Sequence, residues 1–96
     1  MANVIVTLKI MPSSPEVDLD VLYTESCKKV RAFIDTKHKD DEVRKIIEPV
    51  GFGLKALKLM FVMDESIGTT DKLEEDIKNL KGAESVQVTD VRRAIG

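Results

Sequence analysis

Apolar and polar residues alternate from the start of the chain. Val4, Val6, Leu8 and Ile10 share one face of residues 3–11 and Thr7 and Lys9 the other, a period of two that predicts a half-buried strand. The run Pro12-Ser13-Ser14-Pro15 ends it. Thereafter Leu19, Leu22, Tyr23, Ser26, Val30, Phe33 and Ile34 recur at i, i+3 and i+4, with Asp18 placed to cap the chain's first helix. That helix is expected to end before Asp40. Lys37-His38-Lys39-Asp40-Asp41-Glu42 is charged and aperiodic, hence a solvated connection, and Val43, Arg44, Lys45, Ile46 and Ile47 begin the next ordered segment. Proline cannot donate to a ladder, so Pro49 predicts a short, irregular second strand at an edge or a bulge. Residues 56–63 carry apolar side chains on both faces, as expected near the middle of a sheet. Asp64-Glu65-Ser66-Ile67-Gly68 reads as a polar turn. Thr70 or Asp71 then caps a second helix with Leu73, Ile77 and Leu80 inward and Glu74, Glu75 and Lys78 outward. Gly82 reads as its C′ glycine. Val86, Val88 and Val91 mark a last strand, followed by the tail Arg92-Arg93-Ala94-Ile95-Gly96.

The order is strand, helix, strand, strand, helix, strand. A four-stranded antiparallel sheet with two helices on one face, the ferredoxin-like α/β sandwich of the α+β class, satisfies it with right-handed crossovers. The 96 residues suit one domain with one core, and no linker divides them. Because this fold hosts many unrelated functions, it does not by itself assign one.

Charge and composition exclude more than they assign. With a net charge of −2 and scattered Lys and Arg, no basic stripe advertises nucleic acid. One Tyr and three Phe leave little for base stacking. A lone Cys27 cannot form an intramolecular disulfide, and neither a signal peptide nor a membrane-length apolar run is present, which predicts a cytoplasmic protein. Cys27 lies beside the apolar stripe of the first helix without a His partner, so it reads as a small core residue. His38 reads as a surface residue of the charged connection. One Cys and one His cannot supply a structural zinc site, and Asp40, Asp41 and Glu42 lack the spacing and glycine of a calcium loop. No metal, cofactor or catalytic residue is expected, and the chain is not expected to be an enzyme.

Gly51-Phe52-Gly53, ahead of Leu54-Lys55-Ala56-Leu57-Lys58, is the most informative stretch. Glycines on both sides permit φ > 0 and remove neighbouring Cβ atoms, so Phe52 can ride on a turn and point outward as an anchor for a partner's pocket. The alternative is a hairpin whose Phe52 folds back onto the core. A strand, not a helix, follows the glycines, so the segment is no phosphate-binding loop. The balance points to a protein-binding module.

Met11-Pro12, the helix start Val17-Asp18-Leu19-Asp20-Val21-Leu22, Val50-Gly51-Phe52-Gly53-Leu54-Lys55-Ala56-Leu57, Asp64-Glu65, and Val86-Gln87-Val88-Thr89-Asp90-Val91 together resemble the translation elongation factor 1-beta family. The likeness covers nearly the whole chain, 1–96, as a single guanine nucleotide exchange domain of the compact archaeal form. It implies exchange of GDP for GTP on elongation factor 1-alpha, the GTPase that delivers aminoacyl-tRNA, with no direct nucleic-acid or membrane contact. The family's loop aromatic inserts into a pocket of the GTPase's nucleotide-binding domain, which implies that role for Phe52, with Gly51 and Gly53 allowing close approach. Lys55 and Lys58 flank the loop and stand to meet acidic groups, or serve only solubility. In eukaryotic members a lysine near the C-terminus disturbs the magnesium site. Here no lysine follows Lys81, and Arg92 or Arg93 either supplies that charge or solvates the end of an edge strand.

Three other functions of this fold fit poorly. A small-molecule-binding regulatory domain would need a glycine-rich loop after strand 1, where Met11-Pro12-Ser13-Ser14-Pro15 stands. Acylphosphatase-like hydrolysis would need an arginine there. An RNA-binding sheet would need exposed aromatics on its central strands, where only Phe61 is available.

Overall fold

A computed structural model of the chain describes residues 3–34 and 42–93. His38 and the rest of residues 35–41, with the tail beyond Arg93, lie outside the described residues. The elements are β1 (Asn3–Pro12), α1 (Leu19–Phe33), β2 (Arg44–Gly51), β3 (Leu54–Asp64), a 3-10 turn (Glu65–Ile67), α2 (Asp71–Lys78) and β4 (Ala83–Arg93). The strands form one antiparallel sheet in the order β2-β3-β1-β4. This is the ferredoxin-like arrangement that the element order predicts, with β1 and β3 inside.

The period-two pattern dictates which face is buried. Opposite one another in β1 and β3 stand Val4 and Met63, Val6 and Phe61, Leu8 and Leu59, and Ile10 and Leu57, and all eight are buried. Against them pack Leu22, Cys27 and Val30 of α1 and Leu73 and Ile77 of α2, the positions their helical spacing brings to one stripe. Cys27 is thus a core residue. Asp18 caps α1 as expected, its carboxylate accepting the N–H groups of Asp20 and Val21. Tyr23 ties α1 to the segment before β2 by donating its hydroxyl proton to the Val43 carbonyl at 2.6 Å.

Four expectations need correction. β2 is not short: it runs eight residues along the sheet edge, and its irregularity is confined to one register shift between Pro49 and Gly51. Thr70 is the N-cap of α2, but its side chain accepts no backbone N–H; its hydroxyl instead donates to Glu74 Oε2 at 3.0 Å. Gly82 is not a C′ glycine, because α2 ends at Lys78 with Asn79 as its cap. It belongs to the turn that the Ala83 N–H closes on the Leu80 carbonyl, where its φ is +95°. Arg92 and Arg93 are not tail: both pair within the sheet, opposite Ile5 and Val4.

Candidate functional site

The β2–β3 hairpin turns on two residues. Gly51 pairs with Leu54, leaving Phe52 and Gly53 at the tip with φ of +54° and +77°. Positive φ at both central residues matches the right-handed twist of the strands it joins, which is why such turns favour asparagine and glycine. Phe52 is the one described non-glycine residue at positive φ. Its side chain does not fold back: it is 99% exposed, so the core reading falls. Nothing approaches within 4 Å of where a Cβ would stand on Gly51 or Gly53, and both flanks of the phenyl ring are open. Lys55, exposed as the second residue of β3, stands nearby with no ion pair among the described residues.

Lys58 does not join this group. Its ammonium lies 2.8 Å from Glu48, which also receives Lys9 at 3.7 Å. The hydrogen bond from Lys58, then its charge, holds the Glu48 carboxyl below the ordinary carboxylate range. Both lysines thus serve the strand-to-strand network of the open sheet face.

Arg92 and Arg93 stand at the far end of the molecule. Along β3 the step from Leu54 to Met63, level with Arg93, is about 30 Å at ~3.3 Å per residue, within a molecule 42 Å long. The structure therefore brings Phe52, Gly51, Gly53 and Lys55 together and keeps both arginines apart from them. Each arginine already has a partner: Arg92 Nε lies 2.8 Å from Asp90, and Arg93 Nη2 lies 3.2 Å from Glu65.

Sequence reasoning missed what surrounds the hairpin tip. Pro12 at the end of β1, Pro15 and Val17 of the β1–α1 connection and Leu19 at the start of α1 line a hollow of about 300 Å³ that Gly53 and Lys55 complete.

Among the described residues no group of three His, Cys, Asp or Glu side chains is disposed to hold a metal ion, and no helix is long and apolar enough to cross a membrane. Phe61 is buried on the helix side of the sheet, 2% exposed, so the open face lacks the aromatic platform an RNA reader needs. A cavity of about 590 Å³ lies at the far end between β4 and the start of α2, over valines of β1 and β4 and rimmed by Glu65, Asp71 and Glu74. It offers no convergent set of buried polar groups to orient a small molecule.

Residues 5–94 match the family model described as the EF-1 guanine nucleotide exchange domain. Among similar proteins, the elongation factor 1-beta of Methanothermobacter thermautotrophicus is 40% identical over 93 residues, covering 97% of this chain and 98% of that one. That of Methanosphaera stadtmanae is 43% identical over 93 residues, again covering 97% and 98%. The Saccharolobus solfataricus protein is 40% identical over 94 residues, covering 97% of each.

Proposed function

Because the chain belongs to the elongation factor 1-beta family, we propose that it promotes exchange of GDP for GTP on elongation factor 1-alpha, in the cytoplasm, through protein contact alone. The chain acts as one exchange domain. Phe52 is the anchor, Gly51 and Gly53 let the partner's backbone come close, and Lys55 meets carboxylates at the rim. The observation that carries this reading is an aromatic side chain held wholly in solvent, in a backbone conformation unfavourable to it. Such outliers persist where function requires them, and buried aromatic anchors dominate protein interfaces.

Exchange needs no bond to be made or broken. If the factor lowers nucleotide affinity, nucleotide lowers affinity for the factor by the same ratio, so incoming GTP displaces it. Inserting Phe52 biases the GTPase toward a state with a poorly formed nucleotide site, which speeds GDP loss without altering the equilibrium between free nucleotides. Arg92 and Arg93 contribute at the opposite end. They cannot share the pocket that takes Phe52, so they act on a second surface of the partner, and they do so after leaving Asp90 and Glu65.

The test is release of a fluorescent GDP analogue from elongation factor 1-alpha under excess unlabelled nucleotide. Release accelerates in proportion to factor concentration, and Phe52→Ala weakens the complex by ~2–4 kcal/mol while leaving the circular dichroism spectrum unchanged. Release that ignores the factor at every concentration rejects the function. A Phe52→Ala variant as active as the parent rejects the anchor.

A further inference from the structure

We infer that the surface meeting the GTPase continues from Phe52 across residues 12–22 to the Lys81-Gly82 turn, and that it receives an apolar ridge of that partner flanked by carboxylates. This rests on the reading of Phe52 as the anchor. β1 ends, β2 ends, α1 begins and the α2–β4 turn closes at one end of the molecule, so segments remote in sequence form a single face there. Two hollows lie on it. The first, about 300 Å³, abuts the hairpin tip through Gly53 and Lys55. The second, about 290 Å³, is lined by Ser13, Val21, Leu22, Lys81 and Gly82. Val17 lines both, so the two hollows adjoin across its side chain, and Gly53, the neighbour of Phe52, brings the first up to the hairpin tip.

This face is firm. The Ser13 N–H donates to the Gly82 carbonyl at 2.9 Å, and the Val17 N–H to the Ser14 carbonyl at 3.3 Å. Within the loop the Glu16 N–H reaches Ser14 Oγ at 3.3 Å. Pro12 and Pro15 restrict the backbone further. Val17 Cγ1 lies 3.0 Å from where a Cβ on Gly82 would stand, so the loop is seated against the turn. A surface ordered before binding loses little entropy on binding, which suits hollows meant to receive side chains. The charges select the occupant. Lys55 and Lys81 are exposed and have no ion pair among the described residues, whereas the Asp18 carboxylate, which lines the second hollow, is engaged by the first turn of α1 and Asp20 is paired with Lys45 at 3.0 Å. Glu16 is the other exposed carboxylate of the loop. The two lysines at the outer margins of the hollows favour carboxylates on either side of an apolar ridge.

Binding of Val21→Asp, Lys81→Glu and Phe52→Ala to nucleotide-free elongation factor 1-alpha is measured by titration calorimetry. Aspartate at residue 21 falls in the first turn of α1, where the helix dipole favours it, and circular dichroism checks that the variant folds. Val21→Asp weakens binding roughly tenfold or more, as loss of an interface apolar contact to a charge does. Lys81→Glu weakens it about threefold or more at low salt, with the difference closing as ionic strength rises. If Phe52→Ala weakens binding while Val21→Asp and Lys81→Glu bind as the parent does, the interface stops at the hairpin and the inference is overturned, the anchor standing. If all three bind as the parent does, the anchor reading fails as well. Should Val21→Asp not fold, Lys81→Glu decides alone, since it alters an exposed side chain on a turn.

Discussion

Phe52 holds a backbone conformation that its own Cβ disfavours, at a cost of roughly 1–2 kcal/mol, and no packing offsets it because the ring is in solvent. Replacing it with asparagine, which tolerates positive φ and precedes glycine in the commonest tight hairpins, should raise the unfolding free energy by about 0.5–1 kcal/mol. Urea denaturation measures this, and a fall in stability instead would mean that the ring packs somewhere after all. The same substitution removes the anchor, so stability and exchange activity are expected to move in opposite directions at this residue. The position was legible from its flanking glycines, but the direction of the ring was not. The direction of a glycine-flanked aromatic depends on how the turn sits over neighbours remote in sequence, here the β1–α1 loop, and those neighbours are invisible to local sequence.

At the scale of elements, period recovered β1, β3 and both helices, which bury an apolar face that sets the period; β2 and β4 have no fully buried residue, and β2 was legible only as an ordered segment after the charged connection. Boundaries were less legible. Pro49 suggested a short strand at an edge or a bulge; β2 does lie at the edge, where one side is free of ladder bonds and accommodates proline, but it is not short. The Thr70 hydroxyl is taken by Glu74 and so does not cap the backbone. Joining elements also gives α1 a pH dependence. Burial first, and then hydrogen bonding with Cys27, pushes the Tyr23 phenol above its ordinary value of 10.0. A raised folded value means that the protonated phenol is favoured by folding. Its contribution is therefore complete below pH 10 and lost as pH rises through the folded value. Tyr23→Phe keeps the ring under the Lys45 ammonium but removes the donor to Val43, at about 1 kcal/mol for one hydrogen bond. Thermal melts of the two proteins should differ near neutrality and converge in strong alkali; a constant gap would assign the effect to packing.

For the whole molecule, the decisive fact is that the hairpin tip and the two arginines occupy opposite ends of a long sheet. Spacing along the chain does not show this, because strand order, length and register decide which end a residue reaches. Sites so far apart, with no residue of this chain touching both, act independently. Binding losses from Phe52→Ala and from Arg92→Ala with Arg93→Ala should therefore add within about 0.5 kcal/mol when combined, as titration against the GTPase would read. A larger coupling would mean that the partner links the two ends by a conformational change of its own. Which arginine faces which way is decided in the middle of β4. The register slips between Thr7 and Leu8, where Asp90 and Val88 are their partners and Thr89 is left over, its hydroxyl reaching the Thr7 carbonyl at 3.4 Å. That one surplus residue inverts the parity of everything after it. It returns Val91 to the side of Val86 and Val88, sets Arg93 beside Glu65, and turns Arg92 to the other side of the sheet. A strand running in step would present the same two guanidinium groups with their faces exchanged, so two chains with identical tails but different bulges would offer a partner opposite patterns of charge.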